Sequence, residues 1–538
     1  MSSHGDRKSG FKNIGRTAEH SRRNREGATV EIRKQKREES FSKRRALFES
    51  PSADSLDLDK RTVEQLVELL PQVKNDLYSP DSEKCLVATK VFRQTLSRDK
   101  NPPIAAVLEQ KVLPRMVELL ETDSTTVPQE TREIFEKIQL EAAWTLTNIA
   151  AGTSENTAEV LDAGALPLFA RLLQSPNEDL ADQAVWAFGN IAGDGPVTRD
   201  MLHSSKISDQ LIALLQKVLA QKRYNIGHLR SIVWALSNLV RGKPAPNVSE
   251  IHKLAPVFAF LLENEDTEVL SDTCWGLSYI TDGLSEAIDC VIENNGIPPL
   301  VRCLASPAVA VQSPALRAIG NIATGSDQQT QAVIEAGVLY ELGPLLLHSK
   351  QSVVREACWM VSNITAGTPA QIKAVFNSGV VPSIVEHILT SEFKIRKEAC
   401  WALSNATSPR NEHPEIIEFL VENGAIEAFC KVLDCKDQKI IVVALSGLEN
   451  ILESGEDIAA HTGSPSPYCV LVEEAGGLDM LTELQESQSI QVYNKAKGIL
   501  ETYFQGEEDS LHTNNQESSI SFDFDSQAHK NDYPFEFD

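Results

Sequence analysis

The stretch Ala184-Val185-Trp186-Ala187-Phe188-Gly189-Asn190-Ile191 decides how this 538-residue chain is read. Its tryptophan is followed four residues later by asparagine. The same pairing recurs at Trp144/Asn148, Trp234/Asn238, Trp359/Asn363 and Trp401/Asn405. The remaining tryptophan, Trp275, is followed at that distance by Tyr279. Successive tryptophans lie 42, 48, 41, 84 and 42 residues apart. The long interval is two steps, and its midpoint is Arg317, followed four residues later by Asn321. Self-similarity at such a period, in a helical pattern, predicts a solenoid of stacked helical units.

A repeat array also accounts for the length, which exceeds one ordinary domain. The period fits solenoids of armadillo or HEAT type. Counting the tryptophan-bearing helix and its equivalents gives windows near 84–97, 137–150, 179–192, 227–240, 268–281, 310–323, 352–365, 394–407, 439–452 and 488–503, about ten repeats. The first and the last two lack tryptophan, as expected of atypical end units. Within a unit, turns such as Asp162-Ala163-Gly164-Ala165-Leu166-Pro167 read as a helix end followed by a new helix. Gly296, Gly337, Gly379, Gly424 and Gly476 recur in similar settings and read as helix-terminal glycines. Residues 122–133 read as a polar insertion.

The net charge of −25 is unevenly placed. Residues 1–50 hold fourteen Lys/Arg against seven Asp/Glu, and the rest holds 37 against 69. An acidic body argues against general nucleic-acid binding. A basic arm on such a body suggests self-association or delivery of the arm to an acidic partner. The expected organisation is a flexible basic arm at 1–60, a repeat array at 61–505 and an acidic disordered tail at 506–538. No apolar run is long enough to span a bilayer, so membrane insertion is not expected. The nine cysteines and eleven histidines show no metal spacing, phosphate loop or nucleophile elbow. Neither an enzyme nor a cofactor is therefore expected.

Residues at −7, −3, 0 and +4 share one helix face. Around Trp186 these are Asp179, Gln183 and Asn190; around Trp275, Glu268, Asp272 and Tyr279; around Trp401, Lys394, Glu398 and Asn405. Leu180, Ala184, Ala187 and Ile191 run down a different face of the Trp186 helix. The tryptophans are therefore expected on a polar, solvent-facing groove. Helices stacked about 8–10 Å apart would leave slots between indoles. Each slot suits the aliphatic stem and cationic head of Lys or Arg. Asparagine could bond a peptide backbone through donor and acceptor together. Glu141, Asp194, Glu268, Asp272, Glu356 and Glu398 would supply negative charge. The expected ligand is an extended basic peptide. Replacing Trp186 and Asn190 together should then weaken binding with little loss of stability. Tyr279 and Arg317 interrupt the ladder, leaving a site over Trp144, Trp186 and Trp234 and another over Trp359 and Trp401. A spacer of about ten extended residues would bridge them.

These residues closely resemble the importin alpha family of nuclear-localisation-signal adaptors. The resemblance rests on Trp144-Thr-Leu-Thr-Asn148, Trp234-Ala-Leu-Ser-Asn238, Trp275-Gly-Leu-Ser-Tyr279 and Trp401-Ala-Leu-Ser-Asn405. It also rests on the basic clusters Arg33-Lys34-Gln35-Lys36-Arg37 and Lys43-Arg44-Arg45. It implies an all-α, right-handed superhelical solenoid of about ten armadillo repeats with a flexible basic amino-terminal arm. It implies a major signal-binding site of Trp144, Asn148, Trp186, Asn190, Trp234 and Asn238. Gly152, Thr157 and Asp194 would form the pocket for the key lysine, with Gln183, Glu268 and Asp272 as further contacts. The minor site would use Arg317, Asn321, Trp359, Asn363, Glu398, Trp401 and Asn405.

The resemblance further implies that the arm, through Arg33, Lys34, Lys36, Arg37, Lys43, Arg44 and Arg45, binds importin beta or folds into the groove. Partners would be cargo proteins with one- or two-cluster signals, importin beta, the nuclear pore through importin beta, and an export receptor. The protein would shuttle between cytoplasm and nucleus. The chain departs from the family pattern at Ala46-Leu47-Phe48, after the second basic cluster, which should weaken self-inhibition. The rival expectation is a generic armadillo scaffold in adhesion or signalling.

Overall fold

The computed structural model describes residue 58 and residues 61–98, 101–121, 129–409 and 413–504. The basic arm and its clusters Arg33 to Arg45 lie outside the described residues, as does the acidic tail. The described residues contain helices and turns and no strand.

Ten long helices repeat in the expected windows: Ser82–Ser97, Gln129–Ala150, Glu178–Asp194, Ile226–Leu239, Thr267–Thr281, Val309–Ile322, Gln351–Thr365, Phe393–Ala406, Gln438–Thr462 and Ile490–Tyr503. Each packs against the next, so together they form one ladder. Further helices, most of them shorter, connect successive ladder helices. The unit around Trp186 shows the local logic. Thr153 caps Ser154–Asp162 by accepting from the Asn156 backbone, while the Asn156 side chain accepts from the Thr153 backbone. This reciprocal pairing satisfies two amides that a helix start leaves unbonded. Gly164 then turns the chain with φ of 86°, a left-handed conformation that costs glycine little. Ala165–Leu172 follows, and Asn177 caps Glu178–Asp194 through the Asp179 amide.

In one repeat the left-handed turn residue is not the expected glycine but the residue before it. Gly296 has an ordinary helical φ of −76°, and the left-handed residue there is Asn295, at 55°. Asparagine tolerates that region better than most side chains, so it serves the same turn. The insertion expected at 122–133 is also shorter than the composition suggested. Gln129 already begins the Trp144 helix.

Leu180, Ala184, Ala187 and Ile191 are buried, as their spacing predicts. Phe169 and Phe188 meet edge to face at 6.3 Å between ring centroids. Such contacts run along the array between neighbours only, so the core is long and continuous. The nine cysteines are free thiols, seven of them buried. Burial pushes the Cys358 and Cys400 thiols well above their ordinary value. No helix among the described residues is long and apolar enough to cross a membrane.

Candidate functional site: a ladder of tryptophan and asparagine

The tryptophans and asparagines lie at matching positions on successive ladder helices. The expectation that the indoles face open solvent is corrected. Trp144, Trp186 and Trp275 are only 4–6% exposed, and Trp234, Trp359 and Trp401 are half-buried. Yet Trp144, Trp186 and Trp275 stand outside the continuous apolar core, and Trp234 and Trp401 only lean on its edge. Face periodicity thus gave the right side of the helix. It missed that ladder side chains pack sideways on one another. The Arg93 guanidinium lies 4.7 Å from the Trp144 ring centroid. The Trp275 ring stacks on Tyr279 at 5.9 Å and carries Arg317 at 5.3 Å.

The expected slot between Trp186 and Trp234 is closed, since their centroids are 4.9 Å apart. An inserted methylene stem needs about 3.5–4 Å of clearance on each face. Gly189 explains the closure. A Cβ built there would come within 2.0 Å of Trp234 Cζ3, so the absent side chain is the space into which that ring leans. Gly320 does the same for Trp359, at 2.2 Å. Both glycines directly precede a ladder asparagine, a signal available in the sequence and not used.

The asparagines tie the repeats together. Asn190 Nδ2 donates to the Thr147 carbonyl at 3.2 Å, and Asn238 Nδ2 to the Gly189 carbonyl at 2.8 Å. Asn321, Asn363 and Asn405 bond the Ser278, Gly320 and Ser362 carbonyls at 3.0, 3.1 and 2.8 Å. In every case the acceptor immediately precedes the ladder residue of the previous repeat. A side chain expected to meet only ligand therefore also fixes the register between helices. The buried Asn148 Nδ2, Asn190 Oδ1 and Asn405 Oδ1 make no hydrogen bond. A buried polar atom left in that state costs about 1–3 kcal/mol.

Several expected acids are paired within the protein. Arg93 Nε lies 2.6 Å from Glu141 Oε2. Arg230 binds Asp266 at 2.6 Å and Glu268 at 3.1 Å. Glu356 receives Arg355 at 3.2 Å and Arg317 at 3.6 Å. Burial, the largest single effect, raises the Asp266 carboxyl, but the Arg230 hydrogen bond and charge together with the Val269 and Glu268 backbone amides outweigh it, and the net shift is downward. Gln183, Glu356 and Glu398 are buried beside their tryptophans, and Glu268 and Asp272 are half-buried.

Gly152, Thr157 and Asp194 do converge. Ser154, between the first two, donates from Oγ to Asp194 Oδ1 at 3.0 Å. Thr157 is fully buried, and its hydroxyl turns to the Ala150 and Thr153 carbonyls. A Cβ at Gly152 would strike Asn156 Oδ1 at 2.5 Å and Ile104 Cδ1 at 2.6 Å. Two further ladder positions escaped the sequence reading. Arg93 and Ser97 occupy the first ladder helix, and Ser446 and Asn450 the ninth, where Asn450 Nδ2 bonds Thr407 Oγ1 at 2.8 Å.

The chain matches the importin beta binding domain family over residues 7–90. It matches the armadillo/beta-catenin-like repeat over 153–193, 285–324, 326–366, 368–408 and 413–453, and an atypical Arm repeat over 466–519. It is thus a nuclear import adaptor of armadillo-solenoid type that binds importin beta. Importin subunit alpha-B of Dictyostelium discoideum is 41% identical over 514 residues, covering 96% of each chain. Importin subunit alpha-2 of Arabidopsis thaliana is 42% identical over 517 residues, covering 94% of this chain and 93% of that one. Importin subunit alpha-1b of Oryza sativa subsp. japonica is 41% identical over 466 residues, covering 86% and 84%. The crystal structure of an engineered protein superposes with a TM-score of 0.69 at 27% identity, covering 81% of this chain and 99% of that one. The chain belongs to the importin alpha family.

Proposed function

We propose that the ladder binds basic nuclear localisation signals of cargo proteins as extended peptides. The major site uses Trp144, Asn148, Gly152, Thr157, Gln183, Trp186, Asn190, Asp194, Trp234, Asn238, Glu268 and Asp272. The minor site uses Arg317, Asn321, Trp359, Asn363, Glu398, Trp401 and Asn405. The observation that carries this reading is the unbonded polar atoms of Asn148, Asn190 and Asn405. They lie on the same side chains that stand beside indoles, and they ask for a partner offering both donor and acceptor. A peptide backbone offers both, and repeats them every two residues along one edge of an extended strand. Lys and Arg stems then lie against the indoles by dispersion and cation–π attraction, outside the closed Trp186–Trp234 slot.

Residues 1–60 form the arm, 61–505 the array and 506–538 an acidic tail. The arm carries Arg33, Lys34, Lys36, Arg37, Lys43, Arg44 and Arg45. It engages importin beta and, when unengaged, competes for the groove. Importin beta carries the complex to the nuclear pore, and an export receptor returns the adaptor, so the protein shuttles between cytoplasm and nucleus. It acts by binding, with no catalytic step, no cofactor and no direct nucleic-acid contact.

Fluorescence anisotropy tests the reading. Lysine-rich peptides should bind and compete with one another, and acidic peptides of equal length should not. Binding of acidic peptides without binding of lysine-rich ones would overturn it.

A further inference from the structure

The first ladder helix carries arginine where six of the others carry tryptophan. Arg93 Nε lies 2.6 Å from Glu141 Oε2, and its Nη2 lies 3.3 Å from Oε1. Its Nη1 reaches Ser97 Oγ at 3.4 Å, and the guanidinium covers Trp144 at 4.7 Å. The Arg93 and Glu141 side chains are only 14% and 16% exposed.

A related arrangement occurs at Arg317, where the covered indole lies on the preceding ladder helix and the carboxylate on the following one. Arg317 covers the Trp275 ring at 5.3 Å and faces Glu356 at 3.6 Å. In both cases the glutamate stands three residues before the tryptophan of the next ladder helix: Glu141 before Trp144, Glu356 before Trp359. Four consecutive indole-bearing helices, those of Trp144, Trp186, Trp234 and Trp275, lie between the two arginines. Beyond Arg317 come Trp359 and Trp401, and then Ser446.

A cation seated on an indole face and paired with the adjacent carboxylate uses the two features that would otherwise attract a ligand cation. It also repels a second cation brought beside it. We propose that Arg93, held by Glu141, marks one end of the major peptide site and selects the ligand residue that crosses it. The run of Lys and Arg ends at Trp144. The peptide residue lying over Arg93 is neutral or acidic. This inference rests on the groove being a basic-peptide site. It adds a selective position that Arg317 repeats at the other end of the same block of indoles.

The test uses the full-length chain with importin beta bound to its arm. Anisotropy is measured with a one-cluster basic peptide extended by Lys or by Glu, at either end. In the unaltered protein, Glu is preferred to Lys at one of the two ends. Arg93→Gln frees Glu141 and the Trp144 face, and the Lys-to-Glu affinity ratio at that end rises about tenfold. Arg93→Gln combined with Glu141→Gln removes both charges, leaves no unpaired carboxylate, and brings the ratio near one. This second protein keeps the measurement decisive if the single variant folds poorly. An unchanged Lys-to-Glu ratio at both ends, with basic peptides still binding, overturns the inference alone. Loss of all basic-peptide binding by the unaltered protein overturns the groove reading, and the inference with it.

Discussion

Asn190 on the third ladder helix donates to the carbonyl oxygen of Thr147 on the second, across 3.2 Å and 43 residues of sequence. That bond gives a residue of the proposed peptide site a structural role as well. Asn190→Ala should therefore lower stability by about 1 kcal/mol, because the hydrogen bond between repeats is lost while the Thr147 carbonyl keeps only the Ala151 amide as donor. Urea denaturation of the variant and parent measures it. The expectation that Trp186 and Asn190 can be replaced together with little loss of stability is replaced by this one. An unaltered midpoint would show that the bond contributes nothing.

Gly189 is the second consequence of close packing. Gly189→Ala places a methyl group where the Trp234 ring sits. The ring must swing away, at a cost of about 1–3 kcal/mol for overpacking. Near-ultraviolet circular dichroism should change, and affinity for a basic peptide should fall. Gly498→Ala is the control, since its added methyl meets no atom within 4 Å.

Much of this could be read in the sequence. The period predicted ten units, and the windows agree with the ladder helices. The four-residue interval from tryptophan to asparagine predicted one shared face. Arg93 stayed hidden because it lies 51 residues before Trp144, displaced by the extra residues near 122–128, and because serine stands four residues after it. Closure of the slot beside Trp186 stayed hidden for a different reason. It depends on how two rings lean across a glycine, which helix periodicity does not encode. The pairing of Glu141 with Arg93, Glu268 with Arg230 and Glu356 with Arg317 is a contact between repeats 38 to 48 residues apart, outside any local pattern.

The Arg230–Asp266 contact gives a pH prediction. The Asp266 carboxyl sits below its ordinary value of 3.8 because the Arg230 contact and the Val269 and Glu268 backbone amides together outweigh burial, the largest single effect. A depressed carboxylate adds stability above its unfolded pKa and loses it as pH falls through the folded one. The stability difference between the parent and Asp266→Asn should be constant above pH 5, shrink below about pH 4, and vanish in stronger acid. Urea midpoints across that range measure it. A difference that grows on acidification would reverse the assigned sign.

One groove is proposed to serve both cargo signals and the basic arm of its own chain. Affinity for one-cluster and two-cluster basic peptides, measured on the full chain and on a chain lacking residues 1–60, tests it most directly. Removing the arm should abolish importin beta binding and tighten both peptides. The two-cluster peptide should bind more tightly than the one-cluster peptide in both proteins. Equal peptide affinities with and without the arm would contradict the claim that the arm and the signals compete for the same groove.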